Sequence, residues 1–127
     1  MLKKISKLAK EDLAKQVKNV TIKESPDFIK NRLIASGIRP INNVVDISNY
    51  VMLELGQPLH FYDADRLGNV IETRMAAQGE KLTTLDEIER TLEETDIVIS
   101  DGTRAIGLAG VMGGLDTEIE NTTKNVF

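Results

Sequence analysis

The chain has no cysteine and no tryptophan, a single histidine, and three prolines in 127 residues. Without thiols there can be no disulfide scaffold, no thiolate zinc or iron–sulfur centre and no cysteine nucleophile, and a reducing compartment is the simpler reading. One histidine argues against a histidine-based metal site, because first-row metals usually recruit several ligands. Aromatic side chains are confined to Phe28, Tyr50, Phe61, Tyr62 and Phe127. The core must therefore rest on Val, Ile, Leu, Ala and Met, and a platform that stacks single-stranded bases has few candidates. No apolar run reaches the roughly 20 residues of a membrane helix, so a spanning segment is not expected.

What is present fits one globular domain: 41% hydrophobic and 28% charged residues, in a chain long enough to bury about two-thirds of its extended surface. The net charge of −4 is unevenly spread. Residues 1–18 carry six lysines against Glu11 and Asp12, net +4, which leaves ten basic and eighteen acidic side chains beyond, net −8. An acidic body repels a nucleic-acid backbone at long range. The basic start is either an RNA-contacting arm or a solvated helix with apolar residues at 2, 5, 8, 9 and 13, and we read it as the helix. No apolar stretch follows the lysines, so it is not a signal peptide.

Residues 19–24 alternate in the manner of a strand. Ser25-Pro26 is expected to supply the N-cap and first residue of a helix over 28–36 that stops at Gly37. A loop with Pro40, Asn42 and Asn43 leads to a second helix, Val44 to Leu55, whose wide apolar face predicts burial and which ends at Gly56. Asp63 to Leu67 fits a helical turn. The period then changes. Segments 69–75, 80–85, 88–92 and 95–100 are short strand candidates, punctuated by Gly79, Asp86-Glu87 and Asp101-Gly102. Segment 105–114 is apolar and glycine-studded, and 124–127 resembles the opening of a further strand, as if the sequence were cut inside a domain.

Chemistry-bearing residues are few. His60, in GQPLHFYD, is either a proton carrier or orienting group or a structural histidine anchoring the turn after Pro58. Arg39 can hold a phosphate or carboxylate, or simply pair with one of the many acidic groups. The series Gly107, Gly110, Gly113, Gly114 is neither a dinucleotide nor a Walker fingerprint, and acidic residues follow it. It reads equally as a shallow groove that admits a ligand to the backbone and as tight strand packing. Asp63, Asp65 and Gly68 copy part of a calcium loop, but Leu67 and Arg74 stand where its ligands belong. None of the five serines lies in G-x-S-x-G, so water is the expected attacker in any hydrolysis.

The segments SGIRPINNVVDISNYVMLELGQPLHFYDADRLG, TLDEIERTL and AIGLAGVMGG, in that order and spacing, closely resemble the B3/B4 domain of the β subunit of bacterial phenylalanyl-tRNA synthetases, from about Val20 to Phe127. The resemblance implies an α+β fold, a layered β/β/α domain with helices early and mostly antiparallel strands in the second half, truncated at the C-terminus. It divides the chain into a basic segment, 1–18, and an incomplete B3/B4 editing domain, 19–127. In that family the domain hydrolyses tyrosine wrongly esterified to phenylalanine tRNA, while the α subunit charges the tRNA using ATP and magnesium. Carried over by position, catalytic roles fall on Arg39, Asn49 and His60, and the substrate pocket on Ser48, Gly110 and Gly113, with no metal and no cofactor in this part. Ser48 replaces a frequent Thr, HFYD replaces HAFD, and Glu87 replaces a hairpin glycine. The family's tyrosine-selecting glutamate falls a couple of residues past Phe127. The implied partners are the α subunit in an (αβ)₂ assembly and the 3′ end of the tRNA, in the cytoplasm and away from membranes. A free-standing hydrolase of mischarged tRNA and a non-catalytic interaction module are the rival expectations.

Overall fold

The computed structural model describes residues 15–127. The chain divides into two compact units, one formed by Arg66–Glu118 and the other by Gln16–Asp65 together with Ile119–Phe127.

The second of these holds both α-helices. Helix α1 spans Asp27–Ala35 and buries Ile29 and Leu33. Its N-cap is Pro26, with φ −57° and ψ 148°, one position later than the sequence predicts. Ser25 does not cap the helix, because its buried hydroxyl donates to Asp46 Oδ2 instead. At the other end Gly37 takes φ +78°. Ile38 N–H reaches the Leu33 carbonyl at 2.9 Å and Gly37 N–H the Ile34 carbonyl at 3.0 Å, the paired bonds that satisfy a helix terminus.

Helix α2 spans Asn43–Leu55 between the Asn42 N-cap and Gly56 at φ +69°. The Asn42 side-chain oxygen accepts from Val44 N–H at 3.1 Å and Val45 N–H at 3.0 Å, two donors that the first turn leaves without helical partners. The expected burial of this helix is not observed: only Val44 and Asp46 are buried, and Leu55 is 71% exposed. The apolar face is wider than the contact that α1 and its neighbours cover. Where α1 meets α2, the Phe28 and Tyr50 rings stand edge to face with centroids 6.2 Å apart. Arg32 lies over the Tyr50 ring and donates to its hydroxyl.

Residues 19–24 and 124–127, expected as strands, form none. Isolated bridges join Val126 to Val17 and to Asp63. The Tyr62 and Phe127 backbones exchange bonds of 2.8 and 3.0 Å, and Val20 N–H reaches the Lys124 carbonyl at 2.8 Å. Asn19, at φ +57°, turns the chain out of line after the first bridge and stops a ladder from growing. Val44, Ile119 and Val126 form the core here, with Val20, Ile22, Val45 and Phe61 packed on it. The helix expected in the basic segment lies outside the described residues over 1–14, and residues 15–18 are not helical.

The other unit is built of strands: β1 Glu72–Met75, β2 Lys81–Thr83, β3 Glu89–Thr91, β4 Ile97–Ser100, β5 Ala105–Leu108 and β6 Met112–Gly113. Strands β1-β4-β5-β6 form one sheet in that order, and β2-β3 a separate hairpin. All pairings are antiparallel. Every strand candidate between 69 and 100 is present, trimmed at its ends, and segment 105–114 folds back on itself as β5 and β6. Leu82, Val98 and Ala105 of the strands, with Ala76 and Leu92 just past β1 and β3, make one core with Leu108 against it. The helical turn expected at 63–67 is a 3-10 turn at Ala64–Arg66. Two helices early and antiparallel strands in the second half make the chain an α+β protein.

Candidate functional site

Four of the six expected site residues belong to the helical unit. Arg39 lies in the exposed link between α1 and α2, Ser48 and Asn49 stand in the middle of α2, and His60 sits in the segment after Gly56. Gly110 and Gly113 belong to the strand unit, in the β5–β6 turn and in β6.

Their commitments differ. Ser48 donates its hydroxyl to the Val45 carbonyl at 2.8 Å, the back-bonding that a serine inside a helix commonly makes. The hydroxyl keeps its acceptor capacity and offers no free proton. Among the described residues, Arg39, the half-buried Asn49 and His60 hold no hydrogen bond or ion pair through their side chains, although much of the chain's charge is paired. Lys30 bonds Glu24 at 2.6 Å, Arg90 bonds Asp86 at 2.6 Å, and Arg74 grips Glu80 with two contacts of 2.6 and 2.8 Å. A cation, an amide and an imidazole left uncommitted in one unit are groups that a polar ligand can engage. By type, a guanidinium can bind an anion, an amide can donate to and accept from a carbonyl or hydroxyl, and an imidazole can orient water.

The His60 ring packs edge to face on Tyr62, with centroids 4.5 Å apart. His60 is exposed overall, but the neighbours packed around its ring penalise the charged form, so its pKa is moved below the ordinary 6.5. The imidazole is therefore neutral at pH 7, with one nitrogen donating and the other accepting.

The glycine series resolves into separate roles. Gly110 turns the chain at φ +72°, and a Cβ there would meet nothing within 4 Å. Gly113 and Gly107 are partners across β5 and β6, and both are buried. Gly114 has no room for a side chain, since a Cβ would come within 2.7 Å of the Ile106 carbonyl oxygen. Tight strand packing thus explains Gly114, while Gly110 has open space over it.

Asp63 and Asp65, which imitate a cation loop in sequence, are used internally. Thr123 donates to Asp63 at 2.7 Å, and the Asn125 amide reaches both Asp65 oxygens at 2.9 and 3.0 Å. Among the described residues no group of three or more acidic or histidine side chains could hold a metal, and no helix is long and apolar enough to cross a membrane. A cleft of about 250 Å³ lies between β2 and β5. Its charges are already neutralised, Lys81 by Glu89 and Arg104 by Asp116.

One residue escaped notice in the sequence. Asp46 is 1% exposed and accepts from Ile41 N–H at 2.8 Å as well as from Ser25. Its signal was a lone carboxylate in the apolar run Val44 to Ile47.

The profile of the B3/4 domain matches residues 9–127. The phenylalanine–tRNA ligase beta subunit of Bacillus cereus is 54% identical over 128 residues, covering 97% of this chain and 16% of that protein. The beta subunit of the same ligase from Staphylococcus saprophyticus is 57% identical over 114 residues, covering 89% of this chain and 14% of its own length. The chain thus spans only 14 to 16% of these relatives. Among solved structures, an N-terminal fragment of the phenylalanyl-tRNA synthetase beta subunit from Pyrococcus horikoshii matches with a TM-score of 0.53 at 15% identity, over 66% of this chain and 32% of that one. That likeness concerns the fold.

Proposed function

The chain belongs to the B3/4 domain family, and from that premise we propose that it is the part of a phenylalanine–tRNA ligase beta subunit that removes tyrosine from mischarged phenylalanine tRNA. The observation that carries the reading is the set of polar side chains that have no side-chain partner among the described residues, Arg39, Asn49 and His60, the positions to which the sequence resemblance assigns the editing chemistry.

In this reading water attacks the ester carbonyl. The bond to the ribose oxygen breaks, tyrosine leaves as the free acid, and the proton passes to the released ribose hydroxyl. No covalent enzyme intermediate is required, which agrees with the absence of a serine elbow and of any cysteine. Arg39 holds the substrate's anionic or carbonyl oxygens and Asn49 its polar edge. Neutral His60 orients the water, with the terminal vicinal hydroxyl of the tRNA sharing the proton transfer. The sequence resemblance also assigns Gly110 and Gly113 to the substrate pocket; a Cβ at Gly110 would meet nothing within 4 Å. The editing step uses no cofactor. ATP and magnesium serve the charging reaction in the α subunit, to which no residue of this chain is assigned. The body's net charge of −8 fits a domain that receives only the 3′ end and leaves the RNA backbone to other parts of a cytoplasmic (αβ)₂ enzyme.

The test is deacylation of tyrosyl-tRNA by the whole synthetase. Arg39→Ala and His60→Ala are each expected to slow it about ten- to a hundredfold while phenylalanine charging is unchanged. Deacylation at the wild-type rate in both variants would refute the assignment.

A further inference from the structure

We propose that Asp46 is a positioning residue for the editing chemistry: its buried carboxylate clamps the Arg39-bearing link to the helix that carries Ser48 and Asn49. The inference rests on the editing reading above and adds to it a residue that touches no substrate.

Three facts define the clamp. Asp46 stands in the first turn of α2, two and three residues ahead of Ser48 and Asn49, and is 1% exposed. One of its oxygens, Oδ1, accepts from Ile41 N–H at 2.8 Å, two residues after Arg39. The other, Oδ2, accepts from the Ser25 hydroxyl, itself buried just before α1. One carboxylate thus ties the entrance of α1, the link between the helices and the body of α2. Among the described residues no other side chain hydrogen-bonds the link between Ile38 and Ile41, and none pairs with Arg39. Between the backbone bond from Ile38 N–H to the Leu33 carbonyl and the Asn42 cap of α2, Asp46 is thus the side chain that fixes the link on which Arg39 stands. A buried carboxylate that accepts from two separate donors is a directional tether. A displacement of an ångström in a group that binds the transition state is enough to cost a large factor in rate.

A merely structural carboxylate would act on stability and on every function of the domain. A positioning one acts through Arg39, so the two losses cannot multiply. The decisive experiment measures kcat and KM for tyrosyl-tRNA deacylation by the whole synthetase. The variants are Asp46→Leu, Asp46→Asn, Arg39→Ala and the double substitution of Asp46→Leu with Arg39→Ala, with phenylalanine charging followed in parallel. Asp46→Leu, which removes both bonds at similar volume, is expected to lower kcat about tenfold with KM nearly unchanged. Asp46→Asn keeps an acceptor for Ile41 N–H and can still pair with Ser25, so it should retain activity within about threefold. The double variant should match Arg39→Ala alone within about twofold. Charging should be constant throughout.

Losses that multiply in the double variant, or an Asp46→Asn variant as impaired as Asp46→Leu, would overturn the clamp. If Asp46→Leu does not fold, Ser25→Ala takes its place. It frees one side of the carboxylate, and the expected two- to threefold loss of kcat should again vanish in the Arg39→Ala background; a loss that persists there overturns the proposal. The editing reading fails separately, by wild-type deacylation in both Arg39→Ala and His60→Ala, whatever Asp46 does.

Discussion

Glu87 adopts φ +62° in the turn between β2 and β3, a left-handed conformation that costs an ordinary L-residue about 1–2 kcal/mol. Glycine has no such cost but loses more freedom on folding, by roughly 0.5–1 kcal/mol. Glu87→Gly is therefore expected to stabilise the protein by about 0.5–1 kcal/mol, a rise in Tm of roughly 2–5 °C in a thermal melt; an unchanged or lower Tm would show that the turn is relaxed with glutamate. His60 makes a different prediction. Its pKa is lowered in the folded protein, so the unfolded chain binds the proton more readily. The stability that neutral His60 contributes is complete above the unfolded value near 6.5 and is lost as pH falls through the lower folded value. A denaturant series between pH 5 and 8 should show this slope in the native protein and not in His60→Asn. The acid limb of tyrosyl-tRNA deacylation should likewise lie below pH 6.5.

At the scale of elements, Arg74 on β1 and Glu80 just before β2 tie the two strands together. The guanidinium meets both carboxylate oxygens at 2.6 and 2.8 Å, and Ala77 N–H adds a bond of 2.9 Å. Pairing with Arg74 holds the Glu80 pKa at about 2, against an ordinary 4.5. The contribution is thus present above pH 4.5 and disappears as the pH falls towards 2. Glu80→Ala should cost about 1–2 kcal/mol at pH 7, and the gap between variant and native midpoints in urea should close in acid. A gap that is constant with pH would mean that packing, not the ion pair, is responsible. The helices obey another logic. C-terminal ends were legible because caps are local: Gly37 and Gly56 stop α1 and α2 where the sequence places them, whereas Asn42 and Asn43, read as loop, are the N-cap and first residue of α2. The N-terminal edge of α1 was misplaced because Ser25, a good cap by type, is bound to a carboxylate twenty-one positions away.

At the scale of the whole molecule, the helical unit is completed by the far end of the chain. Val126 bridges Val17 and Asp63 and packs with Val44 and Ile119, while Thr123 and Asn125 satisfy Asp63 and Asp65. Val126→Asp buries a charge with no partner, a change expected to cost more than about 3 kcal/mol. Hydrogen exchange should speed up most in residues 16–65 and 119–127 and less in β1 to β6; uniform loss of protection would mean that the two units unfold as one. Sequence alone determined the class of this protein. Two capped helices followed by β-branched segments between turn residues specify an α+β chain, because caps, turns and alternation act over a few residues. The run of words from Ser36 to Gly68 and from Ala105 to Gly114 was enough to indicate the family. Tertiary structure decided what those words are made to do. It left α2 half uncovered where its apolar face predicts burial, and it spent Asp63 and Asp65 on the chain's own end. It set Gly114 against a carbonyl and buried Asp46 as the acceptor that holds the Arg39 link. Each of these depends on which distant groups arrive at a given side chain, and burial and hydrogen-bond satisfaction are properties of that meeting, which local sequence does not encode.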